Sequence, residues 1–286
     1  RPRDFGYLPK NGEEICHWFR LFIEYTSSLV VADSKVASEV KALLANNFRG
    51  LWVRAGMFDE LENVAGDLMR RTGSWNEGWI AVRKTLRLDG KDMNPIILAR
   101  LVDLEKALKP ETLIERARLI TLSQMSILDL DDVMEDQNRS FSRIEEIARG
   151  LGSNVALTKE VYEEMLPEFF GNDGLWSFSF GQGLADGAID LQKVWHDFRS
   201  QIALIEESKC RYQVLRGFLN AFFQANFELC EAILDQAVTD EILGPIFPIL
   251  QTSVRITTQG VERLRESVEG GLAPIELFYS LSLGRI

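Results

Sequence analysis

The chain has 286 residues, of which 46% are hydrophobic and 26% are charged, a composition typical of globular proteins with a sizeable core. Its formal net charge of −11 argues against a nucleic-acid backbone as the main partner, because phosphate binding needs a basic surface. The three cysteines, Cys16, Cys210 and Cys230, are far apart and form no metal-binding or disulfide pattern, so a reducing cytoplasm is the expected compartment.

The ends of the chain indicate a segment of a larger protein. It opens on Arg1-Pro2-Arg3-Asp4, without an initiator methionine or a signal-peptide pattern, and it ends directly after an apolar helical pattern. No charge-free apolar stretch of about eighteen residues occurs, so we expect no membrane span.

Apolar residues recur at helical spacing through the first half of the chain. Asn94 is expected to cap a helix that has Pro95 at its first position, where the missing N–H costs nothing. Gly50 and Gly56 bracket a short segment that contains Leu51 and Trp52. The helices predicted for this half are 13–31, one capped by Asp33 or Ser34, 58–69, 75–88, one opened by Asn94 and one opened by Pro110.

The second half continues in the same way, with Asp190 as a predicted cap. Gly181, Gly183 and Gly187 fall inside one predicted helix and each weakens it by about 1 kcal/mol, so we expect them to allow close packing against a neighbouring helix. A phosphate-binding loop fits worse, because no strand precedes these glycines. The helices predicted here are 141–151, 158–170, 176–189, one capped by Asp190, the segments of 212–254, 258–269 and 273–283.

The stretch from Tyr212 to Val254 indicates the architecture. It contains three short apolar segments, separated by Asn226 and Asp240, and each is too small to bury its own apolar face. Stacked side by side, such helices bury a continuous core. The sequence therefore predicts an all-α array of short antiparallel helices, an α-solenoid of the HEAT, armadillo or tetratricopeptide kind without a significant sheet. A compact helical bundle is the alternative.

We expect an N-terminal helical-repeat segment over residues 1–127, an acidic loop over 128–138 and a C-terminal helical-repeat segment over 139–286. The two segments are expected to belong to one continuous solenoid.

The densest acidic run is Asp131-Asp132-Val133-Met134-Glu135-Asp136. It resembles the Asp-Asp-x-x-Asp run with which isoprenoid synthases hold magnesium and diphosphate, with Glu135 in place of the last aspartate. Those enzymes carry a second aspartate-rich helix, which this sequence lacks. A calcium loop fits worse, since the position that requires glycine is Met134. We therefore expect a solvated loop, and the alternative is magnesium binding by Asp131, Asp132, Glu135 and Asp136.

Six tryptophans are candidate anchors for a protein partner. Each lies among apolar residues at helical spacing, so a core position is the expectation. Trp75 is the exception, since it stands at a predicted helix start between Ser74 and Asn76. It is the residue that the sequence singles out for interaction.

Little in the sequence indicates catalysis. The chain has two histidines, and it lacks the motifs of serine hydrolases, zinc peptidases and P-loop nucleotide binding. We therefore expect no enzyme activity and no cofactor.

Three runs resemble a known class of helical region: Phe48-Arg49-Gly50-Leu51-Trp52, Leu175-Trp176-Ser177-Phe178 and Phe247-Pro248-Ile249-Leu250-Gln251. They are similar to HEAT- or armadillo-like regions of large bacterial proteins associated with a signalling P-loop NTPase of the STAND type. The resemblance covers most of the chain and implies a bacterial protein, with defence against phage as a context. Since the run GxxxxGK(S/T) is absent, it also implies that any NTPase lies outside this segment.

Together these patterns predict a non-catalytic interaction or sensor segment of a larger bacterial cytoplasmic protein, with a protein or peptide as partner. Two alternatives stay open. One is a magnesium-dependent enzyme built on the acidic run. The other is a structural spacer or oligomerisation arm, which a contiguous apolar patch on the outer surface would favour.

Thermal unfolding with Mg²⁺, and with Mg²⁺ plus diphosphate, tests the magnesium alternative. A ligand at about 100 times its dissociation constant stabilises the folded chain by about 2.7 kcal/mol. We expect no shift in Tm, because the second aspartate-rich helix is missing. A shift of several degrees that Asp132→Ala abolishes would establish the acidic run as a metal site.

Overall fold

The computed structural model describes residues 11–30, 35–122, 140–171 and 174–282. Within these ranges the chain is helical and contains no strand, which confirms the predicted all-α class. The α-helices are α1 (Gly12–Ser28), α2 (Lys35–Arg49), α3 (Phe58–Thr72), α4 (Asn76–Asp89), α5 (Pro95–Leu108), α6 (Leu113–Leu122), α7 (Ser140–Leu157), α8 (Lys159–Met165), α9 (Ser177–Gly187), α10 (Leu191–Ile202), α11 (Gln213–Ala225), α12 (Phe227–Ala237), α13 (Phe247–Gln251), α14 (Thr258–Gly270) and α15 (Tyr279–Ser282).

The chain divides into two compact units, Arg1–Glu111 and Thr112–Ile286. Helices α1 to α5 belong to the first unit and α6 to α15 to the second. The division falls before α6, whereas the sequence analysis placed this helix in an N-terminal segment that ended at residue 127. Helix α6 groups with the second unit because it packs against α7, α8 and α9.

Two helix starts confirm the capping chemistry predicted from the sequence. The side chain of Asn94 accepts a hydrogen bond from the backbone N–H of Ile96 at 2.9 Å, with Pro95 at the first position of α5. The carboxylate of Asp190 accepts one from the N–H of Lys193 at 3.0 Å, at the start of α10. Each satisfies a backbone donor that the helix itself leaves without a partner.

The helix predicted to begin at Pro110 begins instead at Leu113. Its start is fixed by a reciprocal capping box between Thr112 and Glu115. The Thr112 hydroxyl accepts from the N–H of Glu115 at 3.3 Å, and the Glu115 carboxylate accepts from the N–H of Thr112 at 3.0 Å. The prediction was wrong because a capping box satisfies two donors, whereas proline at the first position only avoids losing one.

The third apolar segment of the stretch 212–254 is not one helix. Gly244–Ile246 is a 3₁₀ turn, and α13 has only 5 residues. Pro245 and Pro248 lack the backbone N–H that a longer α-helix would use. The predicted last helix is likewise not formed as one element. After Pro274, the chain forms the 3₁₀ turn Ile275–Phe278 and then the short α15.

The segment that Gly50 and Gly56 bracket in the sequence continues α2 as a π-helix over Gly50–Arg54. The N–H of Ala55 donates to the carbonyl oxygen of Gly50 at 3.2 Å, and Trp52 within the segment is fully buried. Gly56 then adopts a left-handed conformation with φ of 65°, which glycine reaches without steric cost.

Glycines bring α9 into backbone contact with two neighbouring helices. A β-carbon at Gly183 would lie 1.8 Å from the carbonyl oxygen of Arg149 in α7, and one at Gly181 would lie 2.0 Å from that of Val214 in α11. From the other side, a β-carbon at Gly217 would lie 1.8 Å from a carbonyl oxygen of α9. This confirms that the glycines permit close packing, and the same contact fills the space that a phosphate group would need.

An aromatic cluster lies behind this contact in the core of the second unit. Phe180 of α9 meets Phe169, and Phe198 of α10 meets both Phe169 and Phe218 of α11, with edge-to-face ring centroids 5.1–6.1 Å apart. Such pairs add about 0.5–1.5 kcal/mol each to the burial of the rings themselves.

Gly183→Ala is expected to lower the free energy of unfolding by about 3 kcal/mol, because the new methyl group forces α7 and α9 apart. Gly150→Ala in α7 is the matched control. A β-carbon there has no neighbour within 4 Å, so alanine should raise stability by about 0.5–1 kcal/mol. Urea unfolding measures the free energy of unfolding of both variants. The same change in Gly183→Ala and in Gly150→Ala would contradict the backbone contact.

Candidate interaction site

The acidic run lies outside the described residues, so magnesium binding by Asp131, Asp132, Glu135 and Asp136 stays a prediction. In the part of the chain that the structure describes, no group of 3 or more His, Cys, Asp or Glu side chains is arranged to hold a metal ion. The second carboxylate cluster that the magnesium hypothesis requires is therefore not found there.

Trp75 is a core residue, so its predicted interaction role is wrong. Its side chain is 0% exposed, and its indole N–H donates to the carbonyl oxygen of Lys41 at 3.1 Å. The ring folds back over the first turn of α4, where a β-carbon at Gly78 would lie 2.1 Å from it. Its position at a helix start predicted exposure, but the missing side chain at Gly78 makes room for burial.

Helix α1 carries apolar residues on two sides. Ile23 lies on the buried side, which packs in the first unit against α2 and α3. The other side we name the α1 stripe. Its spacing of three and four residues places its members on one helix face. The stripe consists of Ile15, Trp18, Phe22, Tyr25 and Leu29.

The α1 stripe is accessible along the helix. Ile15 is 40% exposed, Trp18 53%, Tyr25 67% and Leu29 37%, and Phe22 is half-buried. Single exposed apolar residues are ordinary on protein surfaces, whereas a row of them on one face indicates an interaction site. Among the tryptophans, the exposed candidate is thus Trp18, and the sequence did not single it out because both sides of α1 have the same apolar periodicity.

The buried side of α1 is fixed to the first unit by polar contacts. Arg20 donates to the carboxylate of Glu60 in α3 at 2.7 Å, and the thiol of Cys16 lies 3.8 Å from the carbonyl oxygen of Ala55. Glu13 and Glu24 are exposed on the polar side of the helix. At about 100° per residue, these two glutamates lie on the side of the helix opposite to the α1 stripe.

The buried thiols are unsuited to nucleophilic chemistry. Cys210 and Cys230 are 4% and 0% exposed. Burial, reinforced by the neighbouring Glu231, raises the pKa of Cys230 to about 12, so the thiol stays protonated at neutral pH. Both residues were predicted as core or surface thiols, and both are core thiols.

A cavity of about 230 Å³ lies between α10 and α12 and is lined by Trp195, His196, Arg199 and Asp240, among others. This is below the range of about 300–1,000 Å³ that is usual for ligand sites. Its charged groups bind each other, since Arg199 Nε donates to the Asp240 carboxylate at 2.8 Å. The cavity is therefore a gap between packed helices that an ion pair bridges, and it does not define a ligand site.

No protein-family model matches the chain, and no curated protein or solved structure matches it either. None of the described helices has the length and hydropathy that crossing a bilayer requires.

Asp240→Asn is expected to lower the free energy of unfolding by about 1 kcal/mol at neutral pH, because Arg199 loses its charged partner. Burial alone would raise the pKa of Asp240, but hydrogen bonds from Arg199 and from the N–H groups of Leu243 and Ile242 outweigh it and leave this pKa below its ordinary value. The stabilisation is therefore present above about pH 4 and is lost as the pH falls through the folded-state pKa.

Urea unfolding at neutral and acid pH checks this, with Glu241→Gln as a control on the exposed neighbouring residue. The difference in the free energy of unfolding between wild type and Asp240→Asn should become smaller at acid pH. A difference that does not depend on pH would assign the effect to packing instead of charge.

Proposed function

We propose that this chain is a non-catalytic protein-interaction segment of a larger bacterial cytoplasmic protein, and that its helices form a solenoid-like array of antiparallel neighbours. The observation that carries the interaction role is the α1 stripe. The resemblance of three sequence runs to helical regions of STAND-type NTPase proteins supports the bacterial origin, with phage defence as the context.

The occupant that we propose for the α1 stripe is an amphipathic helix of a partner protein, with basic residues beside its apolar face. The spacing of three and four residues in the stripe is the spacing at which two helices bury a common seam. Fully burying one large apolar side chain contributes about 1.5–3 kcal/mol, so the seam supplies a substantial part of a binding free energy. The net charge of −11 favours a basic partner.

A second candidate function, an oligomerisation arm, draws on the same exposed stripe. Self-association through α1 would bring two chains of net charge −11 together, which electrostatic repulsion opposes. We therefore favour a basic partner over a second copy, and the experiment below distinguishes the two.

The test uses a helical peptide with leucine at the first and fourth positions of each heptad and lysine beside them. A peptide of the same composition in scrambled order is its control. In fluorescence anisotropy, the patterned peptide should bind and the scrambled one should not. Tyr25→Glu should weaken binding at least about tenfold, because it places a charge in the seam. Ile96→Glu in α5, where the wild-type side chain is 74% exposed, should leave binding unchanged.

Equal binding of both peptides, or equal loss in both variants, would contradict docking on α1. Sedimentation of the chain alone completes the test. A wild-type dimer that Tyr25→Glu converts to a monomer would assign the stripe to a second copy and reject the proposed partner.

A further inference from the structure

A cavity of about 310 Å³ lies in the second unit, beside the first turn of α11, α13 and the 3₁₀ turn Ile275–Phe278. Its volume is at the lower end of the range of about 300–1,000 Å³ that ligand pockets occupy. Apolar and charged groups meet in its wall. Ile249 and Leu277 supply apolar surface, Gln213 and Thr252 supply polar groups, and Arg211, Arg216 and Glu276 supply charge.

The guanidinium of Arg216 is the unusual group in this wall. Its side chain is half-buried, and its Nε is enclosed by the protein without a hydrogen-bond partner. Within the described ranges, no carboxylate forms an ion pair with it. Five other arginines of the second unit do hold carboxylates: Arg118 with Glu168, Arg149 with Asp186, Arg199 with Asp240, Arg263 with Glu231 and Arg265 with Glu262.

A partly buried charge without a counter-charge is unfavourable, and charges inside proteins are therefore normally paired. An anion that enters the cavity would supply the missing charge. The first turn of α11 adds to this preference, because the positive end of this 13-residue helix lies beside the cavity.

The remaining wall restricts the kind of anion. Glu276 is exposed at the same cavity and forms no ion pair with Arg216 in the described structure. Because Arg211 and Arg216 supply two positive charges and Glu276 offsets one of them, the wall favours a singly charged ligand over a doubly charged group such as phosphate. Ile249 and Leu277 favour a ligand that has an apolar body next to its charge.

We propose that this cavity binds a small carboxylate with an apolar body. The carboxylate accepts hydrogen bonds from the two Nη groups of Arg216, because the enclosed Nε is out of its reach, and the planar guanidinium matches its two oxygens. The apolar body packs against Ile249 and Leu277. This role goes beyond docking on α1, since it makes the second unit a receptor for a small molecule.

The experiment titrates the ¹⁵N-labelled chain with 4-methylpentanoate and follows the Nε–H signals of its arginines by NMR. The neutral amide of the same acid and inorganic phosphate are the comparison probes. We expect a saturable shift of the Arg216 signal with the carboxylate and binding at least about tenfold weaker with the amide.

Two variants assign the site, with ligand signals followed by saturation transfer. Arg216→Gln should weaken carboxylate binding at least about tenfold, and Arg216→Lys should restore part of it, because lysine keeps the charge but loses the fork. Arg255→Gln, at an exposed arginine of the same unit, should bind as wild type does. Urea unfolding checks that each variant folds.

Four results would overturn the proposal. The first three are no saturable shift at Arg216, equal binding of acid and amide, and full binding by both Arg216 variants. The fourth is phosphate that binds as tightly as the carboxylate, since the cavity would then be a general anion site.

Discussion

The second unit depends on one contact, the approach of the α9 backbone to the backbones of α7 and α11. With glycine at 181, 183 and 217, no side chain separates these helices, and the carbonyl oxygens occupy the positions of the absent β-carbons. Close-packed interiors cannot absorb even one extra methyl group at such a point without moving a helix. The positions of the aromatic cluster, of α10 and of the first turn of α11 beside the larger cavity all follow from this spacing.

Although the chain is acidic overall, a buried arginine that pairs with carboxylates helps to hold the second unit together. Arg263 is 1% exposed, and it bonds to Glu231 at 2.9 Å and to Asp235 at 2.6 Å, which ties α14 to α12. Exposed ion pairs contribute little to the free energy of unfolding, but removing one partner of a buried pair is costly. The pairs of Arg263 therefore fix the position of α14 against α12. Against this pattern the unpaired guanidinium of Arg216 stands out as a group without a structural use.

Local chemistry was predictable from the sequence, and long-range contacts were not. The all-α class, the caps at Asn94 and Asp190 and the packing role of the glycines follow from patterns within a few residues. The burial of Trp75 depends on the carbonyl of Lys41 and on the space above Gly78, and neither is visible in a helical pattern. The α1 stripe was missed for a related reason, because periodicity reveals an apolar face but not whether another element covers it.

The π-helical segment has a consequence for changes in chain length. A π turn holds about one residue more than an α turn. Deleting one residue within Gly50–Arg54 would return the segment to an α-helical turn, and the residues on either side would keep nearly the same orientation about the axis. The π turn thus holds one residue that the helix could lose. Among descendants of this sequence, a single-residue deletion here would disturb the first unit less than one in the middle of α2, where it would rotate the following residues by about 100°.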